Sequence, residues 1–140
     1  MKWMFALAVL AACGASQKEV AVRGSDLDLA RVAGDWEGEY QGTESGRTGP
    51  VSFSLQMGSH TAEGQVVMGG TTPLKIEFIK VDKDEVKGTI APYTDPTCSC
   101  EVETTFMGML GNDRIDGTFE TKVSATGQVQ GGTWSAIRKP

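Results

Sequence analysis

The sequence predicts an all-β domain, an eight-stranded antiparallel up-and-down meander closed into a barrel. Glycine is frequent, at 18 of 140 residues, and no stretch beyond the amino-terminal region sustains a helical period. Short segments alternate apolar or glycine residues with polar ones, the pattern of strands with one buried face. A unit also recurs: Val81–Ile90 (VDKDEVKGTI) aligns without gaps on Leu110–Phe119 (LGNDRIDGTF), and Met57–Val66 (MGSHTAEGQV) is a weaker copy.

The expected strands, in order, are WEGEY (36–40), VSFSLQM (51–57), GQVVM (64–68), LKIEFIKV (74–81), VKGTI (86–90), CEVETTFMGML (100–110), IDGTFET (115–121) and GTWSAIR (132–138). Each copy of the repeat is an apolar residue, a polar turn and then apolar-x-Gly-x-apolar, which reads as a β-hairpin. Hairpins therefore join the second strand to the third, the fourth to the fifth and the sixth to the seventh. Closure removes both sheet edges, and inward glycines at 38, 64, 88, 108 and 117 suit bends at barrel corners. A two-layer β-sandwich is the alternative reading of the same strands. In a meander the tight turns 58–61, 82–85 and 111–114 share one end. The longer connections 42–50, 69–73, 92–97 and 122–127 share the other, the natural mouth for a ligand.

The chain begins MKWMFALAVLAA, one lysine followed by apolar residues. This is a signal-peptide core, short of the ~20 apolar residues a membrane-spanning helix needs. Leu10-Ala11-Ala12-Cys13 resembles the lipobox of bacterial lipoproteins. That resemblance implies a signal peptide over 1–12, cleavage before Cys13 and acylation of its sulfur. Gly14, where an Asp could stand, resembles lipoproteins sorted to the outer membrane, implying a lipid anchor there with the domain in the periplasm. The alternative is an ordinary cleaved signal peptide with an incidental cysteine. Residues 13–26 read as a flexible, lipidated tether and 27–140 as a single domain. The formal net charge of −5 argues against nucleic acid and against an anionic membrane surface as partners.

Asp28–Trp36 (DLARVAGDW) resembles the opening of the calycin superfamily, which includes the lipocalins: a turn of helix, then Gly-x-Trp, here Gly34-Asp35-Trp36. The resemblance implies a lipocalin-like barrel in which an arginine near the end of the last strand packs over that tryptophan, a place Arg138 occupies. The second lipocalin motif, Thr-Asp-Tyr, has no match, since Thr94-Asp95 is followed by Pro96. The likeness covers architecture and fixes no ligand.

Counting by twos from Trp36 places Tyr40, Phe53, Leu55, Ile76, Phe78, Ile90, Phe106, Phe119 and Trp134 inward. This set offers almost nothing for general acid–base or nucleophilic catalysis, so an enzyme is not expected, nor is a cofactor. Tyr40, Phe53, Ile76, Phe78, Phe106 and Phe119 are the candidate ligand-lining residues, and a core filled by side chains is the alternative. Arg47, Tyr93 and Asp95 fall in mouth-end loops, where they could touch a ligand or partner. Cys98 and Cys100 point to one face of a strand. A disulfide between them needs a kinked backbone, which the Pro96 loop could supply; free or intermolecularly paired thiols are the other reading. A metal site is not expected, because His60, the only histidine, belongs to a tight turn at the opposite end. His60 itself and Asp82-Lys83-Asp84-Glu85 read as solvated turn residues.

These features point to a lipid-anchored barrel that binds a small apolar molecule. The competing expectation is an envelope interaction or structural module with a filled core, acting through its loops on a protein or glycan.

Overall fold

The computed structural model describes residues 17–68, 72–96 and 98–140; the expected signal segment, Cys13 and the first residues of the expected tether lie outside them. The chain forms β1 (Gln17–Arg23), helix α1 (Asp26–Val32), β2 (Gly34–Gly42), β3 (Thr48–Leu55), β4 (Thr61–Met68), the short β5 (Thr72–Leu74), β6 (Ile76–Asp82), β7 (Glu85–Asp95), β8 (Cys100–Gly111), β9 (Arg114–Val123) and β10 (Val129–Arg138). The three expected hairpins form, as β3–β4, β6–β7 and β8–β9. In both strong copies of the repeat the third residue, Lys83 (φ 58°) and Asn112 (φ 52°), is left-handed. The repeat thus encodes a turn geometry as well as an alternation, with asparagine the better suited of the two residues.

The barrel has nine strands rather than eight, and it is not a sandwich. The extra strand comes from the segment expected to be tether. Val20 and Val22 alternate inward and are buried, while Glu19, Ala21 and Arg23 face outward. β1 lies antiparallel to β4 and parallel to β6, and so fills the gap that a pure meander would have closed by pairing β4 with β6. The remaining neighbours, β6 through β10 and then β2, β3 and β4, are all antiparallel. At the start of β1 the Gln17 side chain acts as a surrogate peptide: its Nε2 donates to the Ile76 carbonyl at 2.8 Å, and its Oε1 accepts from the Ile76 N–H at 2.9 Å.

α1 closes the tight-turn end. Ser25 caps it by accepting from the Asp28 N–H at 3.1 Å, and Leu29 and Val32 point down into the core. Its exposed face is tied to the tight turns through an Asp26–His60 hydrogen bond and an Arg31–Asp84 ion pair. The carbonyls at its carboxyl end would be orphaned in an isolated helix. Here Trp36 Nε1 donates to Val32 O at 2.9 Å, and the Arg138 guanidinium donates to Arg31 O at 2.9 Å and to Ala33 O. The same guanidinium stacks 4.5 Å over the Trp36 ring and meets Asp113 in the β8–β9 turn. One arginine therefore joins the first and last strands of the original meander, the helix and a turn.

Val20 separates the two accounts of the amino-terminal segment. Val20→Ala removes two methyl groups from a fully buried site and should lower stability by about 2 kcal/mol, seen as a lower urea midpoint. A tether residue would leave the midpoint unchanged.

Candidate functional site

Widening a barrel from eight to nine strands enlarges its interior, and the interior here is not filled. A cavity of about 150 Å³ runs up the axis. Its floor is Val32, Trp36, Val81, Val86 and Ile115, and its upper end reaches Ser45, Arg47, Asp95 and Gln130. Of the expected lining residues, Tyr40, Phe53, Ile76, Phe106 and Phe119 border it. Phe78 does not. A β-bulge between Ile76 and Phe78 shifts the register of β6, so Ile76, Ile79 and Val81 face inward. Phe78 is left on the outer surface, where Arg23 lies 4.6 Å over its ring.

The aromatic side chains leave the axis free because they lie against the wall. Phe106 covers Gly88 on β7, Phe119 covers Gly132 on β10, and Tyr40 covers Gly49 on β3. A β-carbon at any of these glycines would collide with the ring, so large and small residues are matched across neighbouring strands. Tyr40–Phe119 and Phe106–Trp134 then meet edge to face, with centroids 5.8 and 5.9 Å apart. Trp134 donates its indole N–H to Met107 O and Thr118 O at 3.1 and 3.2 Å.

The wide end of the cavity is polar, a feature the expected apolar interior did not contain. Arg47, in the β2–β3 connection, forms a two-pronged pair with Asp95, both contacts being 2.7 Å. Asp95 was expected in a loop, as was Tyr93; β7 in fact continues to Asp95, and a bulge between Ile90 and Tyr93 turns both inward. The side chains are 25% and 7% exposed, so this is a largely desolvated pair rather than a surface one. Tyr93 hydrogen-bonds Thr104, whose hydroxyl lies 2.8 Å from that of Thr121. Tyr40 donates to Val67 O at 2.8 Å.

Electrostatics keep this end uncharged overall. Burial, more than any neighbour, raises both Tyr40 and Tyr93 above the ordinary tyrosine value of 10.0. The hydrogen bond to Asp95 raises Arg47, which stays a cation matched by its partner. The phenols are therefore neutral donors and acceptors at physiological pH.

Cys98 and Cys100 are joined by a disulfide, with their α-carbons 5.1 Å apart. The kink is at Ser99, whose φ of 51° is left-handed, and the Cys98 N–H donates to Asp95 O at 3.3 Å. The bridge is thus tied to the backbone of Asp95, the residue whose carboxylate holds Arg47. Among the described residues no group of three or more His, Cys, Asp or Glu side chains is gathered as a metal site. His60 lies at the α1 end beside Asp26, 3.0 Å away. Compared with known proteins, the chain matches no family model, no curated protein and no solved structure.

The Arg47–Asp95 pair had no signature in the sequence, being 48 residues apart and joined only by the barrel's register. Arg47→Ala should cost about 2 kcal/mol, less than the roughly 3–5 of a fully buried pair because Arg47 keeps some solvent. The double variant Arg47→Met/Asp95→Leu should recover most of that loss in the same denaturation experiment. The chain's two tyrosines allow a second check. Since folding raises both, the folded state holds their protons longer, and stability should fall as pH climbs above about 10. Phenolate absorbance should accordingly rise at higher pH in the folded protein than in urea; coincident curves would contradict the burial of both rings.

Proposed function

We propose that this protein is a lipid-anchored barrel of the bacterial outer membrane that binds one small, predominantly apolar molecule in its axial cavity. The observation that carries the reading is the cavity itself, walled by Phe53, Ile76, Ile79, Ile90, Phe106 and Phe119. Apolar cavities of about 150 Å³ stay dry and accept a molecule the size of benzene. Pockets for drug-sized ligands run from about 300 Å³ upward. The size therefore favours a single ring or a short alkyl chain over an extended lipid or a cofactor.

The polar end sets the second property of the ligand. Arg47 is matched by Asp95, and the nearby phenols and threonines offer neutral hydrogen bonds. A ligand with an apolar body and one neutral polar group, such as a hydroxyl or amide, would satisfy both ends. A carboxylate there would face the Asp95 side chain. The catalytic inventory favours binding over chemistry: the phenols are held neutral, and no nucleophile is paired with a base among the described cavity residues.

Native mass spectrometry of a Cys13→Ser domain purified from its periplasm tests the proposal. The expected result is an added mass that leaves on denaturation, or uptake of added phenol by an empty barrel. Val66→Phe, which fills the cavity from β4, should abolish uptake while the thermal melt stays cooperative. An empty barrel that takes up no small aromatic or alcohol would overturn the binding reading and favour action through the loops.

A further inference from the structure

The end of β7 carries part of the polar end of the cavity, and it is held from one side. Up to Ile90 the strand lies between β6 and β8. Ala91 makes one more bond toward β6, its N–H donating to Lys75 O at 2.8 Å. Beyond it, among the described residues, the ladder partners of Tyr93, Thr94 and Asp95 are all on β8: Val102, Glu101 and Cys100. The bulge between Ile90 and Tyr93 also separates this stretch from the rest of the strand. Stretches held by few ladder bonds open locally at low cost. Tyr93 and Asp95 line the cavity from here, and Asp95 holds Arg47. Whatever fastens this end therefore fastens the mouth.

The Cys98–Cys100 disulfide is that fastening. Asp95 and Cys100 form the last rung of the β7–β8 ladder, and the bond closes the connection directly beyond it. The Cys98 N–H reaches back to Asp95 O at 3.3 Å, long for a hydrogen bond, so it adds little alone. For the stability of the whole chain the disulfide is poorly placed. It links residues two apart, and a loop this short removes little freedom from the unfolded chain. It also encloses Ser99, held at a left-handed φ of 51° that a serine seldom adopts. Cys98 is exposed and Cys100 half-buried, so an incoming thiolate meets the Cys98 sulfur first. Exposed or strained disulfides exchange with thiols, whereas structural ones resist them.

We propose that Cys98–Cys100 is an exchange site for small thiols, and that its redox state sets how tightly the mouth of the cavity is held. The thiolate of a small thiol attacks Cys98 Sγ, the Cys98–Cys100 bond breaks, and Cys100 leaves as a thiolate that takes up a proton. A second thiolate attacks the mixed disulfide at the sulfur of the first small thiol. The two small molecules depart joined as a disulfide, and Cys98 is left as a thiol. In sum the protein disulfide gains two electrons and two protons, and two thiols are oxidised to one disulfide. With the bond open, Ser99 is released from its left-handed conformation, and the end of β7 keeps only its ladder to β8. Asp95, and Arg47 with it, then move more freely. This concerns the mouth whatever occupies the cavity, so it stands or falls apart from the ligand-binding reading.

The test uses the chain carrying Cys13→Ser, in which Cys98 and Cys100 are the only cysteines. It is equilibrated with reduced and oxidised glutathione in graded ratio, and the reduced fraction is read by mass after alkylation with iodoacetamide. The expected result is reversible reduction with the far-ultraviolet circular dichroism of the barrel unchanged. On reduction, the amides of Tyr93 to Asp95 and Cys100 to Val102 should exchange about tenfold faster or more, while the centre of β2 keeps its protection. The double variant Cys98→Ser/Cys100→Ser should show the same fast exchange with no thiol added. A bond that yields only when the barrel unfolds would overturn the proposal, as would amides that keep their oxidised rates in the reduced protein or in the double variant. A double variant that fails to fold would make the bond a structural staple and overturn it too.

Discussion

Everything in this structure depends on how the barrel closes. β4 and β6 are consecutive long strands, yet they do not pair; the seven residues of β1 stand between them and supply both ladders. Without β1 two strand edges would be left open, with a row of unpaired backbone groups on each. With it the wall is continuous, and the next residues of the chain pass straight into α1, which covers one end. A single amino-terminal segment thus seals both the side and the base of the barrel.

Two consequences follow from that closure. The ninth strand widens the interior, and the matching of rings to glycines, Phe106 on Gly88 and Phe119 on Gly132, keeps the aromatic mass against the wall. The cavity is what remains. Its two ends are also made different. At the base, Arg138 spends its charge on the carbonyls of α1, the Trp36 ring and Asp113, which locks helix to strands. At the wide end, Arg47 spends its charge on Asp95 beside the phenols of Tyr40 and Tyr93. One arginine closes the barrel, and the other gives the cavity a neutral polar lining.

Much of this architecture could be read from the residues. Six of the eight alternating segments fall within strands that form, while 51–57 runs past the end of β3 at Leu55 and 74–81 is divided between β5 and β6; the repeat located two of the turns, whose left-handed residues are Lys83 and Asn112. What escaped did so for physical reasons. In β1 only Val20 and Val22 mark the buried face, and Lys18, Glu19 and Arg23 make the segment resemble solvated tether. Its partners are 40 or more residues away, so no local signal pairs them. Phe78 kept the right period but lay beyond a bulge, and one extra residue reverses every side chain after it. Arg47 and Asp95 stood in connections whose meeting depends on the register of the whole sheet. The interior therefore looked purely apolar from the sequence and is amphipathic in the structure.

Amide hydrogen exchange along β1 tests the closure most directly. The account predicts that the amides of Val20 to Arg23, including the Val22 N–H that donates to His60 O at 2.9 Å, exchange as slowly as those in the centre of β2. Exchange of these amides at the rate of an unfolded peptide, with β2 still protected, would mean that the amino-terminal segment does not close the barrel. The cavity and the helix lock would then both need another explanation.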